Sequence, residues 1–187
     1  MANFKTIAVS EEQYINILNT IDCGFLNSRP NPKISTALRL EANLGIRISD
    51  ILNLKLDDIV YDNGRYRLDI IEQKTEKKRE FTVPLEVVEY IRRYNKENNI
   101  KDNELIFDIT ERAVQKHLKK VCDYLGYEKI GTHSFRKFFA TSIYKNNDYD
   151  IVLVQKLLQH SSPETTQRYI GISQQQVENA LNKQICL

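Results

Sequence analysis

At 187 residues the chain is long enough to bury one sizeable core and too short for two comfortable ones. Its 27 basic and 25 acidic side chains leave a net charge of +2, which excludes a uniformly basic nucleic-acid binder and confines any anionic partner to a local patch. The three cysteines, Cys23, Cys122 and Cys186, are isolated and lack ligand spacing, the N-terminus has no apolar signal core, and no run approaches the roughly 20 apolar residues of a membrane span; together these predict a soluble cytoplasmic protein with no disulfide, zinc or membrane partner.

Ser10-Glu11-Glu12-Gln13 reads as a capping box opening a helix whose apolar stripe is Tyr14, Ile17, Leu18 and Ile21, ended by Gly24. A second helix is predicted from near Lys33 through Ala37, Leu38, Leu40 and Ala42, broken by Gly45. Arg47 then sits at the start of a helix carrying Ile48, Ile51 and Leu52, an end that favours anions. Strands follow over 58–61, 66–71 and 80–83. Asn63-Gly64 supplies the first hairpin turn, because both positions tolerate positive φ, and Lys74 lies in or beside the second. Pro84 starts a helix with Leu85, Val88 and Ile91, and Thr110 caps one with Val114, Leu118 and Val121 that runs to Leu125-Gly126. Residues 134–145, 151–159 and 173–183 show helical spacing. The fold class is therefore mainly α with a small three-stranded antiparallel sheet, in a single domain over residues 1–187 without repeat or linker.

Candidate basic clusters are Lys74 with Lys77, Lys78 and Arg79; Lys116 with Lys119 and Lys120; and Arg136 with Lys137, each of which, taken alone, reads more readily as a solvated helix face or loop. No carboxylate cluster suits two-metal chemistry and no Gly-rich nucleotide loop is present. What the chain does offer is Arg47, Lys74, His133, Arg136, His160 and Tyr169: two guanidiniums, an ammonium, two imidazoles and a phenol. That set can hold a phosphodiester and attack it covalently, since arginine presents a permanently charged fork to the oxygens on which charge accumulates. Taken singly, each has an ordinary alternative, such as Arg47 paired with Asp50 on the next turn, or Tyr169 as one core-edge tyrosine among ten.

Four boxes in order carry a resemblance. Leu44-Gly45-Ile46-Arg47-Ile48-Ser49-Asp50-Ile51-Leu52 resembles the first-arginine box of the tyrosine recombinases, or phage integrases, and His133-Ser134-Phe135-Arg136 resembles their His-x-x-Arg box. Leu157-Leu158-Gln159-His160-Ser161-Ser162 followed by Thr165-Thr166-Gln167-Arg168-Tyr169 is similar to the closing box with its nucleophile, and the likeness runs from about Ser10 to Ile172. The resemblance implies the family's catalytic-domain fold and site-specific recombination or integration for a phage or mobile element. It implies strand cleavage and rejoining through a 3′-phosphotyrosyl link, without metal or cofactor. Tyr169 would be the nucleophile, Arg47, Arg136 and His160 the phosphate ligands, His133 the base and Asp50 an orienting group. Lys74 would protonate the leaving 5′ oxygen, with Lys77 and Lys78 as rivals in the same loop. The implied partner is double-stranded DNA at a specific site, met as a homotetramer by a chain that is monomeric when free.

The boxes also depart from the family's pattern: Phe135 stands where leucine is usual, Gln159 where glycine precedes the histidine, and Lys137 where a second histidine commonly follows Arg136. The N-terminal core-binding domain that such integrases usually carry is missing, as expected of a fragment or of a short fimbrial-type DNA invertase. A silent DNA-binding module of the same fold is a further alternative, disfavoured by the intact inventory. The helix over 173–187 can pack on its own domain or dock on a neighbouring protomer.

Overall fold

A computed structural model of the chain describes residues 6–171 and Asn182. The helix expected over 173–183 and its exchange between protomers therefore fall outside the described residues, Asn182 apart. Among the described residues the element order is α1 (Glu11–Cys23), α2 (Pro32–Leu44), α3 (Ile48–Leu52), a 3-10 turn (Leu56–Asp58), β1 (Ile59–Asp62), β2 (Arg65–Ile71), β3 (Lys78–Val83), α4 (Leu85–Glu97), α5 (Glu111–Leu125), α6 (Thr132–Asn146), α7 (Ile151–Leu158) and α8 (Pro163–Ile170). The fold is mainly helical with one antiparallel sheet in the order β1-β2-β3. The chain forms two compact units, Met1–Phe139 and Ala140–Leu187, and the division falls within α6.

In the first unit, local chemistry sets the helix ends. Ser10 and Gln13 close the capping box at α1, Asn31 caps α2 ahead of Pro32, and Thr110 accepts from the Ala113 amide at α5. The faces these helices bury carry Ile17, Ile21, Leu38, Leu44, Val114, Leu118 and Val121, which form one core with Ile46, Ile51, Val88, Ile91 and Phe135. Phe135, at 0% exposure, is a core side chain, and Tyr14 stacks on its neighbour Phe138 at 5.0 Å.

Sheet parity matters more for the site. Asn63 and Gly64 both take positive φ, so the tight turn fixes the register that pairs Ile59 with Leu68. Side chains alternate along a strand, so the buried Leu68 puts Ile70 and Glu72 on its own face, as the buried Val83 does Phe81 and Arg79. Lys78 lies on the opposite face, ion-paired with Asp69 at 3.2 Å and Glu80 at 3.3 Å.

In the second unit, Asp150 caps α7 through the Val152 and Leu153 amides, and Ser162 caps α8 ahead of Pro163. Val154, Leu158, Thr166 and Ile170 are buried.

Three differences from the sequence reading have physical causes. Helix α8, which carries Tyr169, is absent from that reading although Ser162, Pro163 and Gly171 are ordinary start and stop residues; eight residues are too few for a clear period. Strand β3 begins at Lys78, two residues earlier than expected, because Ile71 pairs with it despite its charge. Leu85 begins α4 but is 51% exposed, so that helix rests on Val88 and Ile91.

Gly45 ends α2 in the left-handed region at φ 61, and a methyl group there would run into the Phe139 ring. Gly45→Ala is therefore expected to cost about 2–4 kcal/mol, from left-handed strain plus overpacking, read as a lower urea midpoint. An unchanged midpoint would contradict this packing of the Arg47 turn.

Candidate active site

Arg47 occupies the N-cap position of α3 in an extended conformation, and its side chain makes no cap bond. It points instead to the sheet, where its NH1 donates to Glu72 Oε2 at 2.6 Å. Asp50, the ordinary alternative partner for Arg47, instead accepts on Oδ1 from the Gln73 amide at 2.9 Å and so ties α3 to the loop that carries Lys74. Glu72, 1% exposed, accepts on Oε2 from the Thr75 hydroxyl at 2.7 Å as well, and on Oε1 from Arg79 NH1 at 3.3 Å. Burial alone would raise its pKa, yet the bonds from Thr75 and Arg47 and the charges of Arg47 and Arg79 hold it below the ordinary glutamate value.

Arg79 was expected in an exposed basic cluster with Lys74, Lys77 and Lys78; the structure buries it at 1% exposure. Burial, with Arg136 and Arg47 nearby, pushes its pKa down to about 10. Arg136, on α6, is likewise 1% exposed and no surface patch, whereas Lys137 donates to the Thr6 carbonyl at 2.5 Å. Arg136 acts electrostatically on Glu41, Asp50, Arg79 and His133, which places these groups around it. Glu41 is fully buried on α2, and burial raises its pKa well above the usual range against the pull of Arg136 and of the Ile48 amide. Burial raises Asp50 too.

His133 lies in the first turn of α6. The residue is exposed, yet desolvation by the surrounding protein, followed by the charges of Arg136, Arg47, Lys137 and Lys74, lowers its pKa. Lys74 is thus within electrostatic reach of His133, while Lys78 faces away across the sheet and Lys77 serves the loop through its carbonyl, which accepts from the Glu72 amide at 3.0 Å.

The second unit holds the other two residues together. The His160 and Tyr169 rings meet edge to face with centroids 5.0 Å apart. His160 Nδ1 lies 3.1 Å from the Thr166 hydroxyl, and Thr166 is fully buried. With that hydroxyl donating to Nδ1, Nε2 carries the proton and becomes a donor. Gln159 takes φ 52 as the C-cap of α7, which accounts for the glycine usual there and strains this chain's turn slightly.

Three clefts of about 210, 290 and 570 Å³ are lined by residues other than these. Among the described residues no group of three or more His, Cys, Asp or Glu side chains could hold a metal ion, and no helix is long and apolar enough to cross a membrane. The motifs gave no sign of Glu72, Thr75, Arg79 or Glu41; strand parity was the available signal for Glu72 and Arg79.

Residues 9–176 match the phage integrase family. The chain belongs to that family. It is 35% identical over 139 residues to the probable integrase/recombinase YoeC of Bacillus subtilis (strain 168), covering 71% of this chain and 74% of that protein. To the tyrosine recombinase XerC of Caldanaerobacter subterraneus subsp. tengcongensis it is 30% identical, over 95% of this chain but 50% of the relative, so the chain spans about half the length of that recombinase. Among solved structures it is similar to the XerH site-specific recombinase bound to a palindromic difH substrate in a post-cleavage complex, with a TM-score of 0.70, 25% identity and coverage of 96% of this chain and 54% of that one.

Desolvation and the neighbouring cations lower the His133 pKa from the ordinary histidine value of about 6.5, which favours its neutral form. Its contribution to stability should be complete above about pH 6.5 and lost as the pH falls through the folded value. NMR titration should find His133 below that value and moving up in Lys74→Met; a midpoint above it would contradict the electrostatics described.

Proposed function

We propose that this integrase-family chain cleaves and rejoins DNA at a specific site, for a phage or other mobile element, with residues 1–187 acting as one catalytic domain. The supporting observation is the gathering of cations in the first unit. Arg47 and Arg79 share the buried Glu72, and Arg136, Arg47, Lys137 and Lys74 all act on His133.

In this reading Arg47 and Arg136 hold the non-bridging oxygens of the scissile phosphate, and His160 donates from Nε2. The Tyr169 oxygen attacks phosphorus, its proton passes to neutral His133, the bond from phosphorus to the 5′ oxygen breaks, and Lys74 protonates that oxygen. A phenol has a pKa near 10, which is why a base and a cationic surrounding are needed. The products are a 3′-phosphotyrosyl link and a free 5′ hydroxyl; attack by a 5′ hydroxyl reverses the step, so no energy source is consumed. Asp50 orients the Lys74 loop. Double-stranded DNA is the partner, met in the cytoplasm by a chain that is monomeric when free and a homotetramer on its site.

The test uses a pool of nicked duplexes with a randomised central sequence, incubated with the protein in chelator. Covalent adducts recovered under denaturing conditions should enrich one sequence, and on that duplex Arg47→Ala or Arg136→Ala should slow adduct formation roughly a hundred- to a thousandfold. No adduct, or one that needs added divalent metal, would contradict the mechanism.

A further inference from the structure

We propose that Glu72 is a positioning residue whose Oε2 atom holds the Arg47 guanidinium and the Lys74 loop in one setting, so that the phosphate clamp and the proton donor are placed together. The inference rests on the roles given above to Arg47 and Lys74.

Distances decide which of the three bonds of Glu72 matter. The two short ones, 2.6 Å to Arg47 and 2.7 Å to Thr75, both converge on Oε2, while the bond from buried Arg79 to Oε1 is longer at 3.3 Å. The carboxylate is therefore held most tightly to the active-site side and backed by a buried cation. At 1% exposure it has no water to exchange for these partners, and a buried carboxylate stripped of them carries a large desolvation penalty. Arg47 presents five N–H donors, so one NH1 bond to Glu72 leaves others for a phosphate.

The backbone adds to the constraint. The Glu72 amide donates to the Lys77 carbonyl at 3.0 Å and the Glu76 amide to the Glu72 carbonyl at 2.9 Å, so Glu72 closes the base of the loop 72–77. Lys74 stands between two anchored neighbours, Gln73 on Asp50 and Thr75 on Glu72. Consecutive Cα atoms are about 3.8 Å apart, so tethers on both sides leave the Lys74 backbone little room. The ammonium is aimed by the loop, and the loop is set by the carboxylate that also sets Arg47.

A leaving-group substitution separates the two roles. On the duplex enriched above, the scissile 5′ oxygen is replaced by sulfur, which departs as a thiolate without a proton because thiols are far stronger acids than alcohols. Thr75→Val leaves Arg47 on Glu72 and removes the loop's side-chain tether next to Lys74; Thr75 is exposed, so the fold should survive, as thermal melting checks. Its cleavage rate should fall roughly tenfold or more on the oxygen substrate, as expected for loss of a hydrogen bond to a charged group, and recover on sulfur. Glu72→Gln should lose about a hundredfold on oxygen and recover only in part on sulfur, since Arg47 is also released. Equal loss by Thr75→Val on both substrates, or no loss on either, would overturn the coupling. Lys74→Met is the control. If sulfur rescues Lys74→Met but not Thr75→Val, only the coupling fails; if it rescues neither, the assignment of Lys74 fails and takes the coupling with it.

Discussion

Two guanidiniums cannot be packed side by side against the core without a counter-charge, and Glu72 supplies it to Arg47 and Arg79. The carboxylate touches Arg47 and Arg79 and lies beneath the loop that bears Lys74. A buried ion pair adds little to stability against a well-packed apolar alternative, but breaking one by removing a partner costs about 3–5 kcal/mol. The cluster thus gains rigidity more than stability, and rigid donors are what a reaction that builds charge on phosphate oxygens requires.

The other acids are handled differently. Burial raises Glu41 well above the usual carboxylate value, and it raises Asp50, whose bond to the Gln73 amide opposes the rise. Desolvation also depresses Arg79 and His133, so the interior disfavours both signs of charge. The four cations around His133 add to that effect and favour its neutral form.

Much of this could be read from the residues. Helix starts at Ser10 and Thr110, the Asn63-Gly64 turn and the buried stripes follow from local chemistry and periodicity, and the boxes around Arg47, His133, Arg136, His160 and Tyr169 pointed to the family. What was hidden is long-range pairing. Glu72 lies 25 residues beyond Arg47, and nothing near either announces that they meet. Asp50 looked like the partner of Arg47 because it is close in sequence, whereas the extended backbone at Arg47 turns the side chain toward the sheet. Arg79 looked solvated because its neighbours are lysines; alternation along β3 puts it inside and Lys78 outside. Gln159 shows a subtler limit, since a left-handed C-cap follows from the chain path and not from the residue that occupies it.

The proposed chemistry depends on which oxygen attacks the DNA. The described second unit also contains Tyr144 and Tyr149, packed on each other at 5.2 Å, while Tyr169 packs on His160. Proteolysis of the covalent adduct followed by mass spectrometry of the nucleotide-bearing peptide identifies the linkage directly. A 3′-phosphate attached to Tyr169 is the predicted result; a linkage to any other tyrosine, or to a 5′-phosphate, would contradict the account.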